Sequence, residues 1–258
     1  MSGHVVSSYD ADLNDLRQRI LTMGGLVEKM IADAVKSLVD RDTELAERII
    51  AMDHEVNNHE VVIDERCLEL LALRQPTGKD LRFITLALKI VTDLERIGDK
   101  CANMAKRARQ LNQEPPLKPY IDIPRMAHWV EVMIKEALDA FVRGDDVLAV
   151  KVCKDDQMVD DLNEQVQREL YSYMIEDPST ISRAMRLTYI SKSLERIADH
   201  ATNIAEMVIF MVKGKDIRHT IAGAGNGFFS LNTACFTVSR PKAKSRFPVA
   251  GRRSDCCR

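Results

Sequence analysis

Apolar residues recur along most of the chain at alternating spacings of three and four, which is the period of one face of an α-helix. Such stripes run over residues 13–34, 83–104 and 190–211. Stripes of this length are typical of long helices packed in bundles. No segment alternates at period two for long, so the pattern predicts an all-α fold without a sheet.

Turn-forming residues divide this pattern into six helices. Pro76 and Pro178 suit helix starts, because proline is tolerated in the first helical turn. Residues 112–121 contain three prolines and predict a linker between two halves. We predict helices near residues 8–40, 43–72, 77–111, 122–143, 146–175 and 179–213.

The two halves of the chain share a sequence repeat. A shift of about 100 residues aligns Met30-Ile31 with Met133-Ile134, and Leu94-Glu95-Arg96-Ile97 with Leu194-Glu195-Arg196-Ile197. Helical periodicity explains the apolar matches, but it does not force Glu, Arg and Asp to recur in one order. We therefore predict a tandem of two three-helix bundles. The predicted units are residues 1–111 and 122–219, joined by the linker 112–121.

Each repeat carries the motif Leu-Glu-Arg-Ile-x-Asp on its third predicted helix. Because residues four apart lie one turn above each other, Glu95 and Asp99 share a helix face, as do Glu195 and Asp199. Like charges at this spacing cost a helix about 0.2–0.5 kcal/mol, a cost that a bound cation would offset. The rows lie away from the apolar stripe and should face outward or toward a neighbouring unit. Asn103 and Asn203 extend the two rows by one turn.

The second helix of each repeat adds polar residues at the same spacing. These are Asp53 and Asn57 in the first repeat, and Asp156 and Asp160 in the second. Carboxylate and amide oxygens bind hard cations, so Mg²⁺, Mn²⁺, Ca²⁺ or iron fits these rows better than structural zinc. The alternative is a solvated acidic face, neutralised by the arginine within each motif. Sequence does not show that the second and third helices meet.

Charge and cysteine usage restrict the possible partners of the protein and its cellular compartment. The formal net charge of −2 is unevenly distributed: residues 219–258 contain seven Lys and Arg and one acid, Asp255, a net charge of +6, which leaves −8 on residues 1–218. The remaining, acidic part of the chain argues against a nucleic-acid partner. The six cysteines form no C-x-x-C pair. The longest near-apolar stretch, 204–212, is too short to span a bilayer, so we expect a cytoplasmic protein without a membrane span.

The duplicated motif resembles the paired E-x-x-x-D motifs of the PhoU family. The resemblance covers about residues 8–219 and implies a fold of two three-helix bundles, often dimeric. It implies metal binding at the acidic positions of both motifs, here Mg, Mn or Fe as divalent or trivalent ions. Segments 73–76, 174–178 and 212–216 are also similar to PhoU segments.

The same resemblance implies a role. PhoU proteins resemble adaptors between the ATPase subunit of a phosphate ABC transporter and a sensor histidine kinase, and restrain phosphate uptake and starvation genes when phosphate is plentiful. We therefore expect a non-catalytic, homodimeric negative regulator. No P-loop, G-x-G-x-x-G, G-x-S-x-G or H-E-x-x-H motif occurs. The alternatives are a carboxylate-bridged di-metal helical-bundle enzyme and a purely structural helical scaffold.

Residues 220–258 depart from the family pattern. They are rich in Gly, Ser, Arg and Lys, lack helical periodicity and end in Cys256-Cys257-Arg258. We expect this tail to be disordered, or aberrant through a frameshift or read-through. A basic arm that contacts anionic lipid or a partner is the alternative.

Overall fold

Six long α-helices make up nearly all of residues 3–214, the part of the chain that the computed structural model describes. No strand occurs in this range, which confirms the all-α prediction. Helix α1 begins at Gly3 rather than near residue 8, and the other bounds agree with the prediction to within a few residues. The predicted tail, 220–258, lies outside the described residues. The elements are α1 Gly3–Val39, α2 Thr43–Arg74, α3 Gly78–Leu111, α4 Asp122–Arg143, α5 Asp146–Glu176, a 3₁₀ turn Pro178–Thr180, and α6 Ile181–Lys213.

Each repeat forms a three-helix bundle, and the bundles pack through their first and third helices. Helix α3 packs against α6, and α1 against α4, whereas α2 and α5 contact only helices of their own repeat. One apolar core runs through both bundles and contains the predicted stripes. Burying each large apolar side chain contributes about 1.5–3 kcal/mol, so this core holds the two repeats together. None of the described helices is long and apolar enough to cross a membrane.

Equivalent aspartates begin the outer helices. The Asp42 carboxylate accepts a hydrogen bond from the Leu45 amide at 2.9 Å. Asp145 accepts from the amides of Val147 and Leu148, both at 3.0 Å. Each cap satisfies a free helix amide and contributes about 1 kcal/mol. Short capped turns therefore place α2 and α5 directly against the preceding helix.

The proline-containing segment between α3 and α4 is tied to α6 and α5. Glu114 pairs with Arg186 at 2.5 Å, and Lys118, which is largely buried, pairs with Glu169. The linker therefore follows the surface of the second bundle closely.

Helices α1 and α4 approach closely at Gly24. A Cβ atom at this position would lie 2.2 Å from the Leu138 Cδ1 atom. The repeat alignment pairs Gly24 with Ala127 and Leu138 with Val35, and Ala127 and Val35 line one groove. On one side of the contact between the repeats, Gly24 leaves room for the large side chain of Leu138. On the other side, the larger Ala127 is combined with the smaller Val35.

Candidate metal centre

Helices α2 and α3 bring the predicted acids of the first repeat together. The charge of Asp53 interacts with that of Asp99, and Glu95 interacts with both. The Asp53 and Glu95 side chains are half-buried, and Asp99 is exposed. The outer helix and the third helix therefore build one acidic surface, which we call the first acidic cluster.

A small residue allows this approach of α2 to α3. Gly98 lies between the motif residues Ile97 and Asp99, and a Cβ atom on it would lie 3.0 Å from the Val56 Cγ1 atom. The second repeat carries Ala198 and Val159 at the equivalent positions. The glycine inside the first motif therefore serves packing between the helices, beside its acidic neighbour.

The second acidic cluster is built in the same way from α5 and α6. The charges of Asp156 and Asp160 interact with those of Glu195 and Asp199. Lys192, one turn before the motif glutamate, places its Nζ atom 2.5 Å from the Glu195 Oε1 atom. The second cluster therefore has four carboxylates and one internal cation.

Burial and mutual repulsion raise the pKa of these carboxyl groups. Burial, followed by the charges of Asp160 and its neighbours, raises the pKa of Asp156 to about 7, although the Thr202 hydroxyl lowers it. Burial also raises the pKa of Asp53, Glu95 and Asp199, again with neighbouring acids contributing. Both clusters therefore hold carboxylates whose negative charge is disfavoured, a condition that a bound cation would relieve.

Several oxygens in the clusters fit a cation. The Asp53 Oδ1, Asn57 Oδ1 and Glu195 Oε2 atoms are buried and have no hydrogen-bond partner. Buried oxygens without partners are costly, and a hard cation satisfies them directly. All candidate donors are oxygens, which suits Mg²⁺, Mn²⁺ or iron rather than a thiolate-bound metal.

Within residues 3–214, no group of three or more His, Cys, Asp or Glu side chains is already close enough together to hold a metal ion. Like-charged carboxylates stay apart when nothing lies between them. Metal binding would therefore require the acidic side chains to rotate toward one another.

The asparagines at the ends of the rows stand apart from the carboxylates. Asn103 accepts a hydrogen bond from Lys106 at 3.4 Å. Asn203 lines a groove between α3 and α6 together with Asp93 and Arg96. In the described part of the chain neither asparagine hydrogen-bonds to the acidic clusters.

Two acids that the sequence reasoning missed extend the first cluster along α2. The charge of Glu60 interacts with those of Glu95 and Asp64, and burial raises the pKa of both Glu60 and Asp64. Glu60 and Asp64 follow Asn57 at spacings of three and four, which predicts that they continue the same face of α2. The second repeat does not have an acid at the position of Glu60, so the repeat alone does not predict it. The residue equivalent to Glu60 is Asn163, whose side-chain oxygen accepts a hydrogen bond from a core serine.

The histidine that follows the second motif joins the two repeats. The His200 Nδ1 atom lies 2.8 Å from the Asp93 Oδ1 atom. The exposed fraction is 15% for the His200 side chain and 14% for that of Asp93. The position equivalent to Asp93 is Ser193. This contact therefore exists on one side of the α3–α6 interface and has no counterpart of the same chemistry on the other.

Both repeats match one family of known proteins. The family model for the PhoU domain matches residues 20–108 and 123–208, one match in each repeat. A relative from Pseudomonas aeruginosa, named phosphate-specific transport system accessory protein PhoU homolog, is 45% identical over 220 residues, covering 85% of this chain and 91% of the relative. The Escherichia coli K12 protein named phosphate-specific transport system accessory protein PhoU is 35% identical over 219 residues, covering 85% and 91%.

Solved structures agree with these relatives. The crystal structure of PhoU from Pseudomonas aeruginosa superposes with a TM-score of 0.77 at 46% identity and covers 80% of this chain and 100% of that one. The phosphate transport system regulatory protein PhoU from Streptococcus pneumoniae gives 0.76 at 30% identity, covering 81% and 98%. The similarity thus extends over both bundles.

Proposed function

The chain belongs to the PhoU family, and we propose that it is a non-enzymatic accessory protein of a phosphate-specific transport system, where it restrains phosphate uptake and starvation signalling. The observation that carries this proposal is the match of both repeats to the PhoU domain. The named relatives support the proposal, because they share at least a third of their sequence with this chain over nearly their whole length.

We infer that the protein acts in the cytoplasm as an adaptor, in which the outer helices contact its partners. Helices α2 and α5 pack on one side only, so their other faces are available for contacts. Large apolar side chains on these faces are at least half exposed, as interface positions often are. The partners would be the ATPase subunit of the transporter, a sensor histidine kinase and a second copy of the chain. The apolar residues of α2 and α5 that are at least half exposed are Val61 (55%), Leu68 (60%), Leu73 (71%), Val147 (75%), Tyr171 (50%) and Ile175 (81%).

The acidic clusters would hold metal ions beside these outer faces, where α2 adjoins α3 and α5 adjoins α6. Glu95 and Asp99 with Asp53 would provide ligands in the first repeat, and their equivalents would do so in the second. A bound Mg²⁺, Mn²⁺ or iron ion would supply positive charge that draws the carboxylates together. The proposed consequence is an ordered face for partner binding. The remaining ligands would be Asn57 in the first repeat, and Asp156, Asp160, Glu195 and Asp199 in the second. Asn103 and Asn203, which stand apart from the carboxylates, would not take part.

Deleting the gene and assaying alkaline phosphatase in phosphate-rich medium tests the regulatory role. Deletion should raise the activity, and both the full chain and residues 1–219 should restore it to a low value. Activity that stays low in a deletion strain without a second PhoU-family gene would contradict the proposal.

A charge-matched pair of variants tests the metal step. The variant E95Q/D99N/E195Q/D199N should fail to restore repression and should lose metal-dependent capture of the transporter ATPase. A control with the same charge change at acids of α1, of the turn after it and of α4, away from both clusters and outside the outer helices, should behave as wild type. Equal capture with and without chelator would contradict metal dependence, and oxygen consumption by iron-loaded protein would favour the di-metal enzyme. The control variant is D10N/D33N/D40N/E131Q.

A further inference from the structure

A cavity with a different chemistry lies at the seam between the repeats. It has a volume of about 370 Å³ and opens where α1 and the start of α3 meet the ends of α4 and α6. Its floor contains Phe83 and Phe141, one ring from each repeat. The rings stack with their centroids 4.9 Å apart and an angle of 9° between their planes. The cavity is therefore built jointly by both bundles on a rigid aromatic base.

Three cations line this cavity, with one acid. The Arg17 guanidinium lies 4.7 Å over the centre of the Phe83 ring and is half-buried. Among the described residues neither Arg17 nor Lys79 has a carboxylate within ion-pair distance. Arg143 has only an exposed pairing with Asp139 at 3.5 Å. The Arg17 Nη1 atom donates an exposed hydrogen bond to the Asn14 Oδ1 atom at 2.8 Å. Because neither Arg17 nor Lys79 is neutralised by a carboxylate, these cations favour an anionic ligand.

The start of α3 adds to the positive potential. Thr77 occupies the N-cap position but makes no side-chain hydrogen bond to the helix. The N-terminus of a long helix carries partial positive charge and free amide groups. The acid in the lining, Asp80, interacts with Tyr9 of α1. Asp80 offsets one of the three positive charges of the lining.

We propose that this cavity binds a small organic phosphate. The three cations and one acid of the lining carry a formal charge of +2, which Asp139 beside Arg143 lowers to +1. A positive site of this kind complements a phosphate monoester of about −1.5 to −2 at pH 7. A guanidinium binds phosphate oxygens in a bidentate manner. Val142, Met211 and Val212 supply an apolar wall for the organic part. The volume falls in the range of about 300–1,000 Å³ usual for ligand sites.

This phosphate site is distinct from the acidic clusters and does not depend on the proposed regulatory role. At 1.5 Å per residue, about 18 Å of helix separates Phe83 on the floor from Glu95 of the first cluster. The lining is cationic where the clusters are anionic. A ligand here would contact both repeats at once and would stabilise their association.

Calorimetric titration of the full-length protein with AMP tests the proposal, with adenosine and inorganic phosphate as partial ligands. AMP should bind, adenosine should bind at least about tenfold more weakly because it lacks the anion, and inorganic phosphate should also be weaker because it lacks the apolar part. No AMP binding at millimolar concentration would overturn the site. Inorganic phosphate binding as tightly as AMP would overturn the assignment to an organic phosphate.

The matched variants are R17Q in the cavity and R19Q two residues along the same helix. Arg19 pairs with Asp15 at 2.8 Å outside the cavity. R17Q should weaken AMP binding at least about tenfold, whereas R19Q should leave it unchanged. Circular dichroism melts of both proteins show whether either variant has lost its fold, and R143Q should weaken binding a few-fold in any case. Equal effects of R17Q and R19Q in folded proteins, with no effect of R143Q, would contradict the proposal.

Discussion

The two acidic clusters occupy equivalent places in homologous bundles, yet they balance their charge differently. In the second cluster Lys192 pairs with Glu195, whereas the equivalent Thr92 in the first repeat donates a hydrogen bond to the Leu88 carbonyl of its own helix. Asn57 of the first cluster stands where Asp160 adds a carboxylate in the second. The first cluster compensates by extending along α2 to Glu60.

This difference shows that the two repeats share the positions of their acidic rows but not the charges around them. Helix packing places the motif rows at equivalent positions of the two bundles, because apolar core residues recur beneath them. The exposed neighbours that set local charge have diverged. We therefore expect both repeats to bind metal, but with different dependence on pH and on nearby cations.

The largest expected effect comes from removing one cluster at a time. E195Q/D199N and E95Q/D99N should each weaken Mn²⁺ binding in their own repeat by at least about a hundredfold, because each removes two charged ligands worth about 1.5 kcal/mol or more apiece. Metal content per chain after dialysis should fall in steps, and the combined variant should retain none. Full metal content in the combined variant would show that the acidic rows are solvated surfaces.

The contact between α1 and α4 can be made symmetric by mutation. G24A should destabilise the protein by about 1–3 kcal/mol, because the added Cβ overlaps Leu138, although alanine favours the helix by about 1 kcal/mol. Adding L138V reproduces the alanine–valine combination of Ala127 and Val35. Urea unfolding should show that G24A/L138V recovers at least half of the loss. Additive effects of the two substitutions would contradict this packing account.

Stability of the metal-free protein should depend on pH through the second cluster more than the first. The folded-state pKa of Asp156 is raised from 3.8 to about 7, so the folded protein binds more protons than the unfolded chain between these values. Stability therefore falls as pH rises from about 4 to 7. At pH 8, D156N should stabilise the metal-free protein by about 1–3 kcal/mol, and at pH 4 this gain should disappear.

The matching variant D53N tests whether the repeats differ as proposed. Burial raises the pKa of Asp53 as well, but fewer like charges act on it. D53N should therefore give a smaller gain at pH 8 than D156N when both are measured by urea unfolding in chelator. An equal or larger gain would mean that the clusters are electrostatically alike.

The smallest expected effect comes from replacing Lys192, the cation that pairs with Glu195 in the second cluster. K192T should strengthen Mn²⁺ binding in the second repeat a few-fold, because Glu195 loses a competing partner, and T92K should weaken binding in the first repeat by a similar factor. The stability changes should stay within about 1 kcal/mol, as for other partly exposed ion pairs. Titration of each variant in a background that lacks the other cluster separates the two sites. Unchanged affinity in both would show that Lys192 does not compete with the metal.

Particular elements show how far sequence carried the prediction. The helix bounds and the duplication followed from apolar periodicity and from a motif that recurs with its polar residues in order. The family followed from the same motif and agrees with the PhoU-domain matches in both repeats. Helical spacing along α2 predicts Glu60 as part of the acidic row, but the repeat does not, because the second repeat has Asn163 at the equivalent position.

Sequence by itself determined the helices, the repeat, the acidic rows along each helix and the family, because these depend on residues close together in the chain. Tertiary structure alone decided that the charges of Asp53 and Asp99 interact, that His200 contacts Asp93 and that Phe83 stacks on Phe141. Such pairs depend on the rotation and axial offset of one helix against another. Those offsets are set by how side-chain volumes interlock at points such as Gly24 and Gly98, which no spacing along one helix encodes.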